Sequence, residues 1–277
     1  MQLGSIFVDN EMISIKLPKP DEEVIQGVRW GAVESFLTPA YWAYQVHANR
    51  IMGNNINYKL GETLKEEVGA CLLGGHGIPA NVGLAAFYHV KSRGAFGDQP
   101  PTQESLLDWL KEPIEVEDRQ VRYRFANQKS RYLHEALRKL SIEKPPISSG
   151  KALRNWLLTI PGIGYKTASW IARNWLDADD VAILDIHILR AGLLGNFFKG
   201  NLTVERHYLE LEAQFIHFSE ALGVRASELD ALMWLEMMSS SSSVHNIMGI
   251  GNFNSNSKAL SRSKKSKTNP RQLSLLG

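Results

Sequence analysis

The chain reads Ile160-Pro161-Gly162-Ile163-Gly164-Tyr165-Lys166 at a turn that has helical apolar spacing on both sides. Apolar residues recur at i, i+3, i+4 and i+7 before the turn, and again after it from Ala168 to Trp175. Glycine permits a positive φ and the close approach of another chain. A helix that starts there directs N–H groups and the positive end of its dipole outward. The stretch therefore predicts two helices joined by a tight turn that suits a phosphate diester.

Charge along the chain is uneven. The 277 residues have a net charge of +2, but residues 237–277 carry six basic side chains and no acidic one. Removing these six from the 31 basic residues leaves 25 against 29 acidic residues, a net of −4 for residues 1–236. Any phosphate-bearing ligand of residues 1–236 must then be held by locally placed basic groups and backbone N–H groups, because a global positive field is missing. No apolar run approaches the ~18 residues of a membrane span.

Helical patterns dominate the chain, and we predict a mainly α fold. A short hairpin is expected within residues 5–18 around Asp9-Asn10, followed by helical sequence from about 21 to 52 that breaks at Thr38-Pro39. Further helices are predicted at 63–73, 78–93, 103–110, 127–140, 150–160, 165–176, 185–194, 204–222 and 227–238. The run from Val181 to Leu189 has strand propensity, and we assign its second part to a helix on the family resemblance described next.

Two segments together resemble one enzyme superfamily. They are Leu158–Ala168, with its Pro-Gly-Ile-Gly-Tyr-Lys turn, and Ile183–Arg190, which places Asp185 nineteen residues after Lys166. This combination resembles the helix-hairpin-helix DNA glycosylases, and in particular the 8-oxoguanine DNA glycosylase/AP lyases. The resemblance covers roughly residues 62–238. It implies a helical barrel of residues 66–184, with the helix-hairpin-helix at 150–176, and a second helical domain formed by 1–65 with 185–238, the two flanking a DNA-binding cleft.

Lys166 is the predicted nucleophile. Its ammonium form is disfavoured beside the positive end of a helix dipole, which helps to supply the free amine. An amine can attack C1′ of a damaged nucleotide, expel the base and leave a Schiff base, after which β-elimination cuts the strand. The alternative is a lysine that only contacts a phosphate, and Asp185 downstream favours the nucleophile.

Asp185 is predicted to help deprotonate Lys166 and to stabilise positive charge on the sugar. The alternative, a helix N-cap, is compatible with that role because one carboxylate can do both. The resemblance gives His187 a phosphate contact near the flipped nucleotide, whereas a lone histidine otherwise forms structural hydrogen bonds. Gly162 and Gly164 are the predicted DNA contacts of the hairpin.

A glycosylase must extrude its target base and fill the gap that remains. Val68–Pro79 resembles the family's barrel helix that ends in a wedge loop, and His76 takes the place where the family usually has Gln or Asn. The alternative is a glycine-rich loop with an incidental histidine.

The base pocket resembles that of the archaeal 8-oxoguanine glycosylase. Trp170 lies four residues after Lys166, while Asp230 and Trp234 are themselves four apart on the last helix. Gln45 is a further candidate for reading the base edge. A carboxylate suits the N7–H donor that 8-oxoguanine has and guanine lacks. The alternative is that these tryptophans belong to the core.

Cysteine content excludes one cofactor of the wider superfamily. Endonuclease III-type relatives hold an iron–sulfur cluster with four cysteines, and this sequence has Cys71 alone. No cofactor is expected. The resemblance implies a Na⁺ or K⁺ ion at the hairpin, held by the carbonyls of Leu158, Ile160 and Ile163.

The last part of the chain, 239–277, is rich in Ser, Asn and Lys and predicts a disordered basic tail. It ends in Gln272-Leu273-Ser274-Leu275-Leu276, which resembles the peptide by which bacterial proteins bind the polymerase sliding clamp. The alternative is an untethered tail with a few leucines. The peptide implies a bacterial origin, and the expected setting is a cytoplasmic monomer at the nucleoid.

These features predict a bifunctional DNA glycosylase/AP lyase of base-excision repair that excises 8-oxoguanine from duplex DNA. Two alternatives stay open. The same scaffold can excise another modified base, or the chain can be a helix-hairpin-helix module that binds DNA without cutting it.

Overall fold

The computed structural model describes residues 1–54, 58–199, 201–240 and 244. These residues form six short strands and ten helices. The strands pair as three antiparallel hairpins: β1 (Gln2–Val8) with β2 (Glu11–Leu17), β3 (Glu23–Ile25) with β4 (Val28–Arg29), and β5 (Ile114–Val116) with β6 (Arg119–Val121). The helices are α1 (Pro39–Ile51), α2 (Leu64–Leu73), α3 (Ala80–Lys91), α4 (Gln103–Lys111), α5 (Ala126–Ile142), α6 (Gly150–Leu157), α7 (Tyr165–Leu176), α8 (Ile186–Leu194), α9 (Val204–Leu222) and α10 (Ala226–Ser239).

The mainly α prediction is confirmed, and so is the N-terminal hairpin. Phe7 pairs with Met12 and Val8 with Glu11, so Asp9 and Asn10 form a two-residue turn. Both have positive φ, 50° and 65°. Such a turn matches the twist of the flanking strands, and Asp and Asn tolerate its backbone.

The helix predicted at about 21–37 is wrong. That stretch contains β3, β4 and turns, and the first helix begins at Pro39 behind the N-cap Thr38. Gly27 and Gly31 have φ of 79° and 67°, which a right-handed helix does not accept. Gln2 fixes the second of these turns, because its side chain donates to Gly31 O and accepts from Val33 N.

The chain separates into two compact units, each with its own core. Among the described residues, the first unit contains 1–54 and 177–240, and the second contains 58–176. Aromatic side chains fill the first core, where Phe197 and Phe218 stack at 4.0 Å. Aliphatic side chains of α2 to α5, among them Leu73, Leu106, Leu133 and Leu137, fill the second with Phe87. The sequence prediction drew its boundaries at 65/66 and 184/185, and those domains stay a prediction.

No helix among the described residues is long and apolar enough to cross a bilayer. The predicted disordered tail and the peptide Gln272–Leu276 lie outside the described residues, apart from Ser239, Ser240 and Val244.

Candidate active site

The hairpin forms as its sequence predicts. Ser149 caps α6 by accepting from Ala152 N at 3.0 Å, and the helix ends before the Pro-Gly-Ile-Gly turn. Gly162 has φ of 85°, and a Cβ there would lie 2.3 Å from the Tyr132 ring. Only glycine fits, because both the backbone and the space exclude a side chain. Gly162 and Gly164 are exposed, so the turn is open to a ligand.

Lys166 is the second residue of α7 and is half-buried. In this first turn, the backbone N–H groups have no acceptor within the helix, and the positive end of the helix dipole lies here. Trp170 and Arg173 follow at i+4 and i+7, on the same face as Lys166. The structure thus places the predicted nucleophile at the start of a helix, on the same face as the Trp170 and Arg173 side chains.

Trp170 belongs to a buried cluster that the sequence analysis did not predict. Its ring meets Tyr58 edge-on, with centroids 6.2 Å apart, and the Arg173 guanidinium lies 5.1 Å from the Tyr58 ring centroid. The i+7 spacing from Lys166 was a usable signal for Arg173. Tyr58 follows a turn-rich stretch and gave no such signal.

Glu67 lies on α2 and is fully buried in the same unit. Its Oε2 accepts from Leu60 N at 2.7 Å and from Gly61 N at 2.9 Å. Burial raises the pKa of Glu67, although these two amides and, more weakly, the Lys59 ammonium and the Trp170 indole favour the charged form. The carboxylate fixes the segment that leads from Tyr58 into α2, and so supports the cluster around Trp170.

Asp185 is the N-cap of α8. Its Oδ1 accepts from His187 N at 2.8 Å and from Ile188 N at 3.3 Å, and its backbone is extended. The N-cap interpretation is therefore correct. The residue is 9% exposed, and the capping bonds hold its carboxylate in one orientation. A fixed orientation also suits a catalytic carboxylate, because a group that is already oriented needs no reorganisation during a reaction.

The segment before Asp185 is buried and irregular, and it pairs with no strand among the described residues. Side chains bind its backbone instead. Ala182 N donates to Glu212 Oε1 at 3.1 Å, and Ile183 N donates to Asp230 Oδ2 at 2.9 Å. Tyr208 hydroxyl donates to Ala182 O and accepts from Leu184 N. Side chains of α9 and α10 thus satisfy backbone groups that a strand would have paired with a neighbouring strand.

The other predicted site residues of the first unit lie on α1, α8 and α10. Trp234 is 8% exposed, and its ring meets His187 edge-on with centroids 6.0 Å apart. Gln45 is half-buried and hydrogen-bonds the Tyr41 hydroxyl, which also donates to Glu236 Oε2. Burial raises the pKa of Tyr41 to about 12, assisted by Glu236. This unit thus collects Gln45, Asp185, His187, Asp230 and Trp234, while Lys166, Trp170 and the hairpin belong to the other.

His76 lies at the exposed tip of the loop between α2 and α3. Gly75 and Gly77 beside it have φ of 98° and 78°, so the tip depends on glycine. The ends of the loop are well packed: Ile78 is buried, and its N–H donates to Gly75 O at 3.0 Å. The imidazole is therefore presented to solvent from a defined turn.

The described residues contain no group of three or more His, Cys, Asp and Glu side chains suited to a metal ion. Cys71 is buried among α2 residues, and burial raises the pKa of its thiol well above the ordinary value. Around the hairpin, Ile160 O accepts from Ile163 N at 3.2 Å as part of the turn. The cation site at the carbonyls of Leu158, Ile160 and Ile163 stays a prediction.

Comparison with known proteins gives consistent matches. The family model for 8-oxoguanine DNA glycosylase of the Ogg-HhH type matches residues 89–224. An 8-oxoguanine DNA glycosylase/AP lyase of Methanocaldococcus jannaschii is 31% identical over 148 residues, which are 52% of this chain and 71% of that protein. A protein of the same name from Fusobacterium nucleatum is 32% identical over 127 residues, and the match spans only about half of its length, 56%, and 40% of this chain.

A solved structure agrees at the level of the fold. The 8-oxoguanine DNA glycosylase of Thermotoga maritima superposes with a TM-score of 0.51 at 22% identity, over 71% of this chain and 95% of that one. From the family match and the relative that is aligned over 71% of its length, the chain belongs to the 8-oxoguanine DNA glycosylase family.

Proposed function

We infer that the chain is a bifunctional DNA glycosylase/AP lyase that excises 8-oxoguanine from double-stranded DNA in base-excision repair. The observation that carries this conclusion is an amine, Lys166, in the first turn of the helix that follows an exposed Pro-Gly-x-Gly turn. Curated relatives of the chain are named for both activities. An amine nucleophile accounts for both, because only an amine forms a Schiff base that permits elimination.

The first chemical step forms one bond and breaks another. Lys166 Nζ, as the neutral amine, adds to C1′, and the C1′–N9 bond breaks with its electron pair leaving on the base, which takes up a proton. After the nitrogen loses a proton, its lone pair forms the C1′=N bond while the C1′–O4′ bond breaks and O4′ takes up a proton, which opens the sugar and gives the Schiff base. Removal of a C2′ proton then breaks the C3′–O3′ bond and cuts the strand.

Asp185 is the proposed partner of this amine. Its carboxylate takes the proton from Lys166 and stabilises the positive charge that develops on the sugar. The capping hydrogen bonds to Oδ1 restrain the side chain. Restraint matters because a carboxylate that is already oriented needs no reorganisation during the reaction.

Backbone N–H groups and single polar side chains are proposed to hold the DNA, since the folded part carries no net positive charge. Gly162 and Gly164 let the phosphate backbone come close to the start of α7. His187 donates to a phosphate near the flipped nucleotide, with its ring supported by Trp234. His76, at its exposed tip, enters the space that the extruded base leaves and stacks there.

A Na⁺ or K⁺ ion is proposed at the hairpin, coordinated by the carbonyls of Leu158, Ile160 and Ile163. Neutral carbonyl oxygens suit a weakly bound hard cation. The ion would supply positive charge beside a phosphate, and no covalent step depends on it. The chemistry itself needs no redox cofactor.

Trp170, Trp234, Asp230 and Gln45 are proposed to form the base pocket. The two tryptophans offer apolar faces for a purine, while Asp230 and Gln45 offer acceptors for its N–H edge. Asp230 has a second duty, because its Oδ2 accepts from Ile183 N two residues before Asp185. The two duties predict different phenotypes.

Asp230→Asn distinguishes base recognition from support of the backbone at Ile183, because asparagine still accepts from Ile183 N but has lost the negative charge. We expect 8-oxoguanine release to fall about tenfold, the cost of one recognition hydrogen bond to a charged group. Cleavage at a preformed abasic site, which has no base to read, should stay near the wild-type rate. Single-turnover rates on the two substrates measure this. Equal losses on both would mean that Asp230 only supports Asp185.

The proposed function is tested by borohydride trapping on matched duplexes. Wild-type protein should release 8-oxoguanine and yield a covalent adduct with duplexes that carry 8-oxoguanine or an abasic site. An adduct at abasic sites without 8-oxoguanine release would indicate another lesion, and a panel of modified bases would identify it. DNA binding with neither release nor adduct would indicate a non-catalytic binding module.

The peptide Gln272–Leu276 is proposed to bind the sliding clamp of bacterial replication, its leucines filling an apolar pocket and Gln272 adding polar contacts. Deletion of 271–277 should abolish co-elution with the clamp and leave excision on short duplexes unchanged. Size-exclusion chromatography and a glycosylase assay measure the two properties. Loss of excision would show that the peptide belongs to the fold, and retained co-elution would exclude it as the clamp ligand.

The biological setting follows from the same peptide. We propose a monomeric enzyme that works at the nucleoid in the cytoplasm of a bacterium. The relatives include an archaeal enzyme, so the bacterial assignment rests on the tail and on the clamp experiment.

A further inference from the structure

Helix α5 contacts the loop that carries His76 at two points. The Phe125 ring, at the N-cap of α5, would lie 3.6 Å from a Cβ at Gly77. One helical turn later, Lys129 Nζ donates to Gly74 O at 3.1 Å, just beyond the C-terminus of α2. A lysine suits this place because the carbonyl end of a helix attracts a cation.

The same helix contacts the hairpin turn. The Tyr132 ring lies directly against Gly162, where a Cβ would be 2.3 Å from the ring. Gln128 orients the ring by donating to the Tyr132 hydroxyl at 3.2 Å. Phe125, Lys129 and Tyr132 are spaced i, i+4 and i+7, so all three lie on one face of α5.

Other contacts fix the base of the His76 loop, where Lys129 also binds, and Phe125 of α5 approaches its tip at Gly77. The Tyr123 hydroxyl donates to Leu73 O at 2.6 Å, and a Cβ at Gly83 would be 3.0 Å from Gly74 Cα. The Gly75-His76-Gly77 tip, in which His76 and Gly77 are exposed, has the backbone freedom of two glycines. Burial lowers the pKa of Lys129, so the protein retains this lysine at an electrostatic cost.

From these contacts we propose that one face of α5, formed by Phe125, Lys129 and Tyr132, positions two loops relative to each other. They are the wedge loop, which is the loop that carries His76, and the DNA-binding hairpin turn at Gly162. Lys129 and Tyr132 are positioning residues: they contact the two loops and not the reacting atoms. Lys129 and Tyr132 are three residues apart, about 5 Å along the helix axis. One rigid helix therefore contacts both loops. The proposal rests on the proposed function, because it assumes that the His76 loop acts in base extrusion.

Lys129→Met tests the contact to the wedge loop, because methionine keeps most of the side-chain volume and loses the donor. We expect kcat for 8-oxoguanine release to fall about tenfold, since a small displacement of a positioning group is costly. The fluorescence of a 2-aminopurine beside the lesion, which reports base extrusion, should fall with it. The Kd for the duplex should change less than about threefold, because the hairpin still binds phosphate.

Arg138→Met is the matched control, since it removes a positive charge from the opposite, exposed side of α5 and should leave all three quantities unchanged. Lys129→Arg keeps a donor and should recover most of the rate. Tyr132→Ala should instead raise the duplex Kd about tenfold, while Tyr132→Phe keeps the ring against Gly162 and should not. If Lys129→Met fails to fold, the Tyr132 pair tests the proposal alone.

Full excision and extrusion in Lys129→Met, or no difference between Tyr132→Ala and Tyr132→Phe, would overturn the proposal. So would equal losses of kcat and of duplex affinity in Lys129→Met, which would indicate a general structural defect. Hydrogen exchange separates these outcomes from failure of the proposed function: amides of 75–78 should exchange faster in Lys129→Met even if the wild-type protein releases no 8-oxoguanine.

Discussion

Lys166→Gln should eliminate the borohydride-trapped adduct and lower 8-oxoguanine release at least about a thousandfold, the scale of losing a covalent nucleophile. Glutamine is slightly shorter than lysine and has a similar helix propensity, and Lys166 is only half-buried in the first turn of α7. The fold and the hairpin should therefore persist. Adduct yield on denaturing gels and single-turnover release of the base measure the two effects.

Two further measurements make the Lys166 result specific. The Kd of Lys166→Gln for a lesion duplex should stay within about threefold of wild type, because one lost phosphate contact alone has a small effect. Lys111→Gln, an exposed lysine at the end of α4, should trap normally. An adduct of normal yield in Lys166→Gln would assign the nucleophile to another amine, and a loss confined to Kd would reduce Lys166 to a phosphate contact.

Asp185→Asn should lower base release by about 10²- to 10⁴-fold, the usual contribution of a positioned acid or base. Asparagine caps helices as well as aspartate does, so the bonds from His187 N and Ile188 N can be kept. Thermal stability should then remain near wild type while activity is lost. Single-turnover kinetics and a thermal melt of the same preparation separate catalysis from capping.

Asp185→Ala completes the test because it removes both functions. We expect the same loss of activity together with a cost of about 1 kcal/mol in the free energy of unfolding for the missing cap. A carboxylate that only caps α8 would give the opposite pattern, with Asp185→Asn fully active and Asp185→Ala impaired only in stability. That pattern would remove Asp185 from the mechanism.

Local patterns predicted much of this fold. The helices predicted at 165–176 and 204–222 have the same bounds as α7 and α9 in the structure. The apolar spacing located them because each helix buries one clear stripe of side chains against a core. The hairpin turn followed from Pro161, Gly162 and Gly164. The N-terminal hairpin followed from Asp9-Asn10 between two β-type runs.

Predictions failed where the backbone depends on contacts distant in sequence. Residues 21–37 were assigned to a helix, but Gln2 fixes the turn at Gly31 from almost thirty residues away. The hairpin of β5 and β6 was missed because three-residue strands around Glu117-Asp118 carry almost no periodic signal.

Sequence motifs likewise predict only one part of the candidate site. Lys166, Asp185 and the glycines stand in motifs with fixed spacing, so the sequence alone was enough to propose them as site residues. Supporting residues have no such motif. Glu212, Tyr208 and Asp230 bind the backbone before Asp185 from α9 and α10. Lys129 and Tyr132 contact their loops from α5. These roles become visible only when the helices are packed.

Peptide mapping of the reduced adduct tests the central claim most directly. Wild-type protein is trapped on an 8-oxoguanine duplex with borohydride, digested with protease and nuclease, and sequenced by tandem mass spectrometry. We predict one modified peptide, with the sugar remnant on Lys166 Nζ. A remnant on any other lysine, or release of 8-oxoguanine with no remnant on the protein, would contradict the account.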